Sequence, residues 1–301
     1  MAIQREIWAR TIVEGLFADN SFASKSVDDS EHVNEGKRVH IPNAGAPPDV
    51  KKNRPTVPAS ASKRIDVDVD YELDEFTTDP IVIPHAETVE LSYNKRNSVV
   101  KQSKNKLIDD AAQSLLYSWE PGMEQCISTS GAAEPAYTDK ATGNRKAVTK
   151  KDIRKLMTQF DRDNVPEAGR YLLLDATMYA QLLDSMTETE SIGFFNAADV
   201  KKGVIGELYG FKVMKRSQVL RYKSNGTLSE FDKEGTATDN AAALAWHEDS
   251  VSRALGEVEV FDKTRDPLYY GDLYSFLVRC GGAKRRSDKK GVYLLVQSAV
   301  A

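Results

Sequence analysis

The sequence predicts a mixed α/β fold of the α+β class, and three neighbouring stretches carry that prediction. Tyr171, Leu172, Leu173 and Leu174 form a continuous apolar run behind the turn signals Pro166 and Gly169. The run is too short for a helix and fits a strand covered on both faces. Asp175 then offers an N-cap, and Ala176, Tyr179, Ala180 and Leu183 recur at i, i+3, i+4 and i+7, which places four apolar groups on one helix face. After a polar loop, Gly203, Gly206 and Gly210 punctuate turns that lead into a second strand over 211–215.

From the N-terminus, residues 1–35 open with Ile7, Trp8, Ile12, Leu16 and Phe17 among charges and continue into a polar run. They read either as an arm with one short helix or as a terminus without fixed structure, since termini are ordered where another element holds them. Within 36–93, the segments 39–41 and 65–70 predict two strands. Between them, 42–63 is rich in proline and poor in apolar material. Structureless loops longer than about 12 to 15 residues are uncommon in compact domains, so this one is expected to rest on a partner, a free insertion being the other reading. Residues 95–120 predict a long helix with Ile108, Ala112, Leu115, Leu116 and Trp119 on one face and Pro121-Gly122 as the stop. Lys95, Arg96, Lys101, Lys104 and Lys106 crowd its N-terminal half, where cations oppose the helix dipole. They form either a solvated face or a cationic surface with another use.

Residues 128–148, with Gly131, Pro135 and Gly143, predict an exposed loop. Thr149 and Asp152 resemble a capping box ahead of a helix carrying Ile153, Leu156, Met157 and Phe160 on one face. Residues 222–240 read as a hairpin tip or surface loop. Beyond them, 243–247, 257–261, 274–278 and 292–296 read as strands.

A chain of 301 residues with 41% hydrophobic content can bury a sizeable core. It contains no run approaching the roughly 20 apolar residues of a membrane span, and 1–10 lacks the apolar stretch of a signal peptide. Cys126 and Cys280 stand far apart without a CxxC partner, so two free thiols are expected. A net charge of -4 argues against a dedicated nucleic-acid binder. His32, His40, His85 and His247 show no zinc-site spacing, and neither a nucleophile elbow nor a phosphate loop is present. Asp66, Asp68 and Asp70 share one strand face; a cation site, a solvated face and a subunit contact are the three readings, and a straight strand lacks the curvature of a calcium loop. Glu188 and Glu190 near Phe194 and Phe195 have nothing beside them to position a substrate and read as loop. The expectation is no catalytic residue, no metal and no cofactor.

Several motifs together resemble one family. They are Val165-Pro166, Gly169-Arg170-Tyr171-Leu172, Gly206-x-x-x-Gly210-Phe211-x-Val213 and Ser217, followed by Ala245-Trp246-His247, Arg265-Asp266-Pro267 and Tyr270-Gly271-Asp272. In order and spacing they resemble the major capsid proteins of tailed bacteriophages, which share the Hong Kong ninety-seven capsid fold. The resemblance implies an N-terminal arm over 1–35 resting on a neighbouring subunit and an extended β-hairpin loop over 36–93. It also implies a peripheral domain over 94–130 and 250–301 built on a spine helix, and an axial domain over 131–249. The implied function is self-assembly into the hexamers and pentamers of an icosahedral shell around double-stranded DNA, in the virion after assembly in the host cytoplasm. The implied partners are further copies of the chain, a scaffolding protein, a portal, decoration proteins and weakly contacted DNA, with no membrane. Because the family's extended loop crosses a neighbour's spine helix, the candidate interface residues are Lys51, Lys52 and Arg54, Asp66, Asp68 and Asp70, and Lys101, Lys104 and Lys106. An encapsulin-like compartment and a minor virion protein are the structural alternatives, and an enzyme with an unrecognised site is the alternative from another class.

Overall fold

The computed structural model describes residues 21–34, 37–43, 52–53, 67–84, 94–199, 203–230, 233–286 and 288–300. Its N-terminal part is built from short strands: β1 (Val27–Asp28), β2 (Val33–Asn34), β3 (Arg38–Asn43), β4 (Val67–Glu72), β5 (Asp74–Thr77) and β6 (Ile81–Pro84). β2, β3 and β4 form an antiparallel ribbon whose register sets His40 opposite Asp70 and Pro42 opposite Asp68. The two strands expected on either side of the proline-rich loop are therefore partners. Most of the loop, 44–51 and 54–66, lies outside the described residues.

Helix α1 (Asn94–Ser118) comes next and matches the expected 95–120. Its middle turns, at Leu107, Ile108 and Ala111, pack on a long hairpin of β15 (Val251–Asp266) and β16 (Gly271–Lys284), against Val260, Phe276, Val278 and Cys280. β5 and β6 pair with the free edge of β16, and β1 runs parallel to β15. The end of α1 approaches the hairpin so closely that a Cβ on Gly282 would lie 2.4 Å from Leu115 Cδ1 and 2.5 Å from the Ser252 carbonyl oxygen. Only glycine permits that approach.

Ala112, Leu115, Leu116 and Trp119 then enter the main core. Trp119 is fully buried, donates from Nε1 to the Ser252 carbonyl at 2.8 Å, and meets Phe22 edge-on at 6.0 Å and Trp246 at 5.5 Å. Trp246 in turn donates to the Lys25 carbonyl at 2.8 Å. Residues 21–34 pack on their own chain, where Phe22 and Ala23 complete the apolar core beneath the two indoles. Residues 1–20 of the expected arm lie outside the described residues.

The remaining elements are β7 (Cys126–Ser128), β8 (Ala133–Pro135), β9 (Asn144–Lys146), α2 (Lys150–Arg162), β10 (Arg170–Asp175), α3 (Ala176–Asp184), α4 (Glu188–Asn196), β11 (Gly206–Leu208), β12 (Phe211–Arg216), β13 (Leu220–Tyr222), β14 (Asn240–His247) and β17 (Val292–Val296). They form a mixed sheet in the order β11-β12-β10-β14-β17-β7, with β13 also on β14. β10 is buried along its whole length, as its apolar run requires. Side chains alternate across the sheet. Tyr171, Leu173, Ala242, Leu244 and Trp246 face Trp119, while Leu172, Leu174, Ala241, Ala243 and Ala245 face α2 and α3. β17 falls within the 250–301 stretch grouped with the spine helix, yet it hydrogen-bonds to β14 in this sheet.

Three local expectations are corrected. The buried residues of α3 are Met178, Tyr179, Gln181 and Leu182, whereas Ala176 and Ala180 are exposed. Two apolar stripes overlap on this helix, and the one with the larger side chains is buried. Residues 188–196 form a helix rather than a loop: Thr187 and Glu190 close a capping box, and Glu190 also accepts from Lys150 at 2.7 Å. Residues 128–148 contain the β8–β9 ribbon, and Arg145 is buried there because its guanidinium donates to the Thr142, Asn144, Ala237 and Asp239 carbonyls.

The capping box of α2 forms as expected, with Asp152 fully buried. Burial pushes its carboxyl pKa up, but hydrogen bonds from Ser130, Lys155 and Thr149 outweigh burial, so the value lies below the ordinary one. A lowered folded value means that this contribution is present above the unfolded pKa, near 4, and is lost as pH falls through the folded one. Asp152→Asn is therefore expected to cost about 1–3 kcal/mol at neutral pH, and the gap to the parent should narrow below about pH 4. Urea unfolding across the acid range measures both.

Candidate assembly surfaces

The acidic row begins where β4 emerges from the loop. Asp70 is exposed and lies 2.6 Å from His40 Nδ1 across the ribbon, and Arg38 pairs with Glu72 beside it, Nε to Oε1 at 2.7 Å. Exposed pairs of this kind contribute roughly 0–1 kcal/mol. Asp68 lies two residues before Asp70 on the same strand, in register with Pro42 of β3. Asp66, Lys51 and Arg54 lie outside the described residues, while Lys52 forms an exposed turn with Asn53. Asp70 already has a partner in its own chain, a cross-strand histidine that alternation alone does not reveal.

The spine-helix lysines do not form one surface. Lys101 and Lys106 are exposed, but Lys104 is only 7% exposed, and burial lowers its ammonium pKa. The period of 3.6 residues turns Lys104 inward, almost opposite Lys106. Lys106 lines a groove between α1 and the β5–β6 segment, with Thr78, Asp79, Ile81 and Asp110. Asp70 pairs with His40, and no ion pair joins it to Lys101 or Lys106 among the described side chains.

A surface that sequence reasoning missed sits at the far end of the β15–β16 hairpin. Leu268 is 79% exposed, Tyr270 is 81% exposed, and Tyr269 is exposed between them. The turn is tightly held. Asp266, itself buried, accepts from the Leu268 backbone at 2.8 Å and pairs with Lys263, and Asp272 accepts from the Arg265 backbone at 2.9 Å. A Cβ on Gly271 would lie 2.3 Å from the Ile83 carbonyl oxygen. A rigid turn thus presents apolar side chains to solvent, the mark of a contact surface. The available signal was an apolar, aromatic run at 267–270 where a turn would ordinarily be polar.

The described residues hold no group of three or more histidine, cysteine or acidic side chains able to bind a metal ion. His247 is buried, with Nε2 2.8 Å from the Ala168 carbonyl and Nδ1 accepting from the Asp249 backbone. Burial pushes the Cys126 and Cys280 thiols up to about 11 and about 12, which leaves them unreactive. No described helix is long and apolar enough to cross a membrane.

No model of a protein family matches the chain, and no curated protein does. Solved structures do. The capsid of the Cyanophage P-SCSP1u aligns over 90% of this chain and 86% of its own, with TM-score 0.61 and 16% identity. A chain of Mycobacterium phage Che8 aligns over 91% and 90%, with TM-score 0.60 and 18% identity. A virus-like particle from Pyrococcus furiosus aligns over 97% and 99%, with TM-score 0.56 and 11% identity. The chain has the Hong Kong ninety-seven capsid fold. At these identities the likeness is one of fold, and the resemblance in sequence rested on the order of weak motifs. In this capsid fold, His40 and Asp70 of the β3–β4 ribbon, the exposed lysines of α1 and the hairpin tip face solvent, while Val39 of the same ribbon is buried with Leu73 and Ala254.

Proposed function

We propose that the chain is the major capsid protein of a tailed bacteriophage, assembling into hexamers and pentamers of an icosahedral shell that encloses double-stranded DNA. The observation that carries the reading is the capsid likeness over about nine-tenths of both chains, reached without a family-level sequence match. Its role is geometric rather than catalytic. Head-to-tail contacts between copies close into rings when the rotation permits. The seven-stranded sheet, including β7 and β17, serves as the axial domain, and α1 with the long hairpin serves as the peripheral domain. A scaffolding protein, a portal and decoration proteins are the further partners, and the virion is the location. Electron microscopy of the expressed protein, alone and with its neighbouring phage genes, is expected to show closed shells. A compact monomer under every condition would overturn the reading. The Pyrococcus furiosus particle supports a second reading, a compartment shell. Shells filled with protein cargo and needing no portal would favour it.

Two expected results concern the loop. In free subunits, protease should cut first within 42–63, at Lys51, Lys52 or Arg54, and assembly should protect these bonds. Equal cleavage rates before and after assembly would show that the loop does not rest on a neighbour. Changing Asp66, Asp68 and Asp70 to lysine should impair assembly while leaving the subunit folded, and adding Lys101→Glu and Lys106→Glu should partly restore it, more so at low salt. Assembly no better in the combined variant would show that the two surfaces do not meet.

A further inference from the structure

Helix α2 turns a mainly basic face to solvent, with Asp161 the one exposed acid on the helix. Lys151, Arg154, Lys155 and Arg162 are all exposed. Lys151, Lys155 and Arg162 fall at i, i+4 and i+11, a stripe about 16 Å long. The nearby acids are already engaged: Asp152 is buried beneath the first turn and accepts from Lys155 at 2.9 Å, and Asp161 accepts from Arg170 at 2.8 Å. At the C-terminal end, the stripe runs into a cleft where Asp163, His247 and Asp249 face Arg285, Arg286 and Lys290. Arg286 pairs with Asp288 at 2.7 Å, and Lys290 lies 4.0 Å from Asp163. Among the described residues, no acidic side chain pairs with Lys151, Arg154, Arg162 or Arg285.

A solvated face is the ordinary explanation of a charged helix surface. Two observations go beyond it. The cations gather on one face of a chain whose net charge is -4, and Lys150 and Lys151 stand at the helix N-terminus, where the dipole opposes them. The surface also lacks the apolar centre of a protein contact. Among the described residues, no exposed large apolar side chain falls on α2 itself. Spaced lysines and arginines without apolar or aromatic groups suit a phosphate backbone read without regard to base sequence.

We infer that the exposed face of α2, together with the basic loop after β16, holds the phosphate backbone of duplex DNA inside the shell. The inference rests on the capsid reading and names the surface that touches the genome. The contact is non-specific and salt-labile. With about 0.9 logarithmic units of salt slope per phosphate, four contacts weaken binding about 100-fold between 50 and 200 mM salt, so packaged DNA remains free to move.

The test titrates purified subunits with two 24-base-pair duplexes of unrelated sequence across salt concentrations. A variant carrying Lys151→Gln, Arg154→Gln, Arg162→Gln and Arg285→Gln is compared with a control carrying Lys37→Gln, Lys140→Gln, Lys146→Gln and Lys223→Gln, which removes equal charge from other exposed sites. The parent is expected to bind both duplexes alike. The α2 variant should lose about 3–4 units of salt slope and the control much less. Thermal unfolding and shell formation are followed in the same preparations. Equal losses in variant and control overturn the inference, as does unchanged binding. A folded α2 variant that binds DNA but forms no shells also overturns it and assigns the face to a neighbouring copy. Absence of shells from the parent both alone and with its neighbouring genes, read by microscopy and not by titration, overturns the capsid reading itself.

Discussion

Trp119→Ala is expected to remove about 3–5 kcal/mol of subunit stability, a large part of the 5–15 kcal/mol typical of a folded domain. The indole is where four parts of the chain meet: the end of α1, residues 21–28, the root of the long hairpin and the seven-stranded sheet. Truncation leaves a cavity against Phe22 and Trp246 and strips the Ser252 carbonyl of its donor, which adds the cost of an unsatisfied buried acceptor. Trp119→Phe keeps much of the packing but loses the hydrogen bond, so a smaller loss of about 1–2 kcal/mol is expected. Urea unfolding of isolated subunits measures both. A loss below about 1 kcal/mol for the alanine variant would show that the surrounding elements hold together without the indole.

The second large effect falls on assembly rather than folding. Leu268→Ser, Tyr269→Ser and Tyr270→Ser together should change subunit stability by less than about 1 kcal/mol, because these side chains are exposed and contribute little to the core. Each is worth about 1.5–3 kcal/mol when buried against another surface, and the contact repeats in every copy. The concentration needed for shells should rise at least about tenfold. Sedimentation of parent and variant over a concentration series reads this directly. Identical assembly curves would show that the tip stays in solvent in the shell.

Legibility in the sequence followed the strength of the local signal. Tyr171 to Leu174 announced β10 because a four-residue apolar run between turn signals has few other uses. Thr149 and Asp152 announced α2 because a capping box is a local device, and the same device at Thr187 and Glu190 went unread because Ile192 and Phe195 point outward and give α4 no apolar periodicity. β14 was recognised over 243–247 but begins at Asn240, since its run of alanines carries no β-branched signature. The surfaces were harder. Whether Lys104 faces inward depends on how α1 lies on the hairpin, and whether Asp70 is engaged depends on the register of β3 against β4. Neither is a property of neighbours in sequence. β17 joined the seven-stranded sheet for the same reason: its partner, β14, lies more than forty residues away.

The β15–β16 hairpin has a mechanical consequence. Its longer strand has 16 residues, which at about 3.3 Å per residue spans roughly 50 Å. One end is clamped beside Trp119 and Gly282, and the other carries Leu268 and Tyr270. With β5 and β6 paired along β16, the three move as one lever: a tilt of roughly 5° at the clamped end sweeps the tip through about 4 Å over that length. The register shifts between Leu255 and Val258 and between Lys263 and Asp266 are the places where such an arm bends, because bulges interrupt the ladder and re-aim what lies beyond them. In the proposed shell, an arm that bends at these bulges would let one sequence meet neighbours at the different angles of five-fold and six-fold rings without repacking its interior.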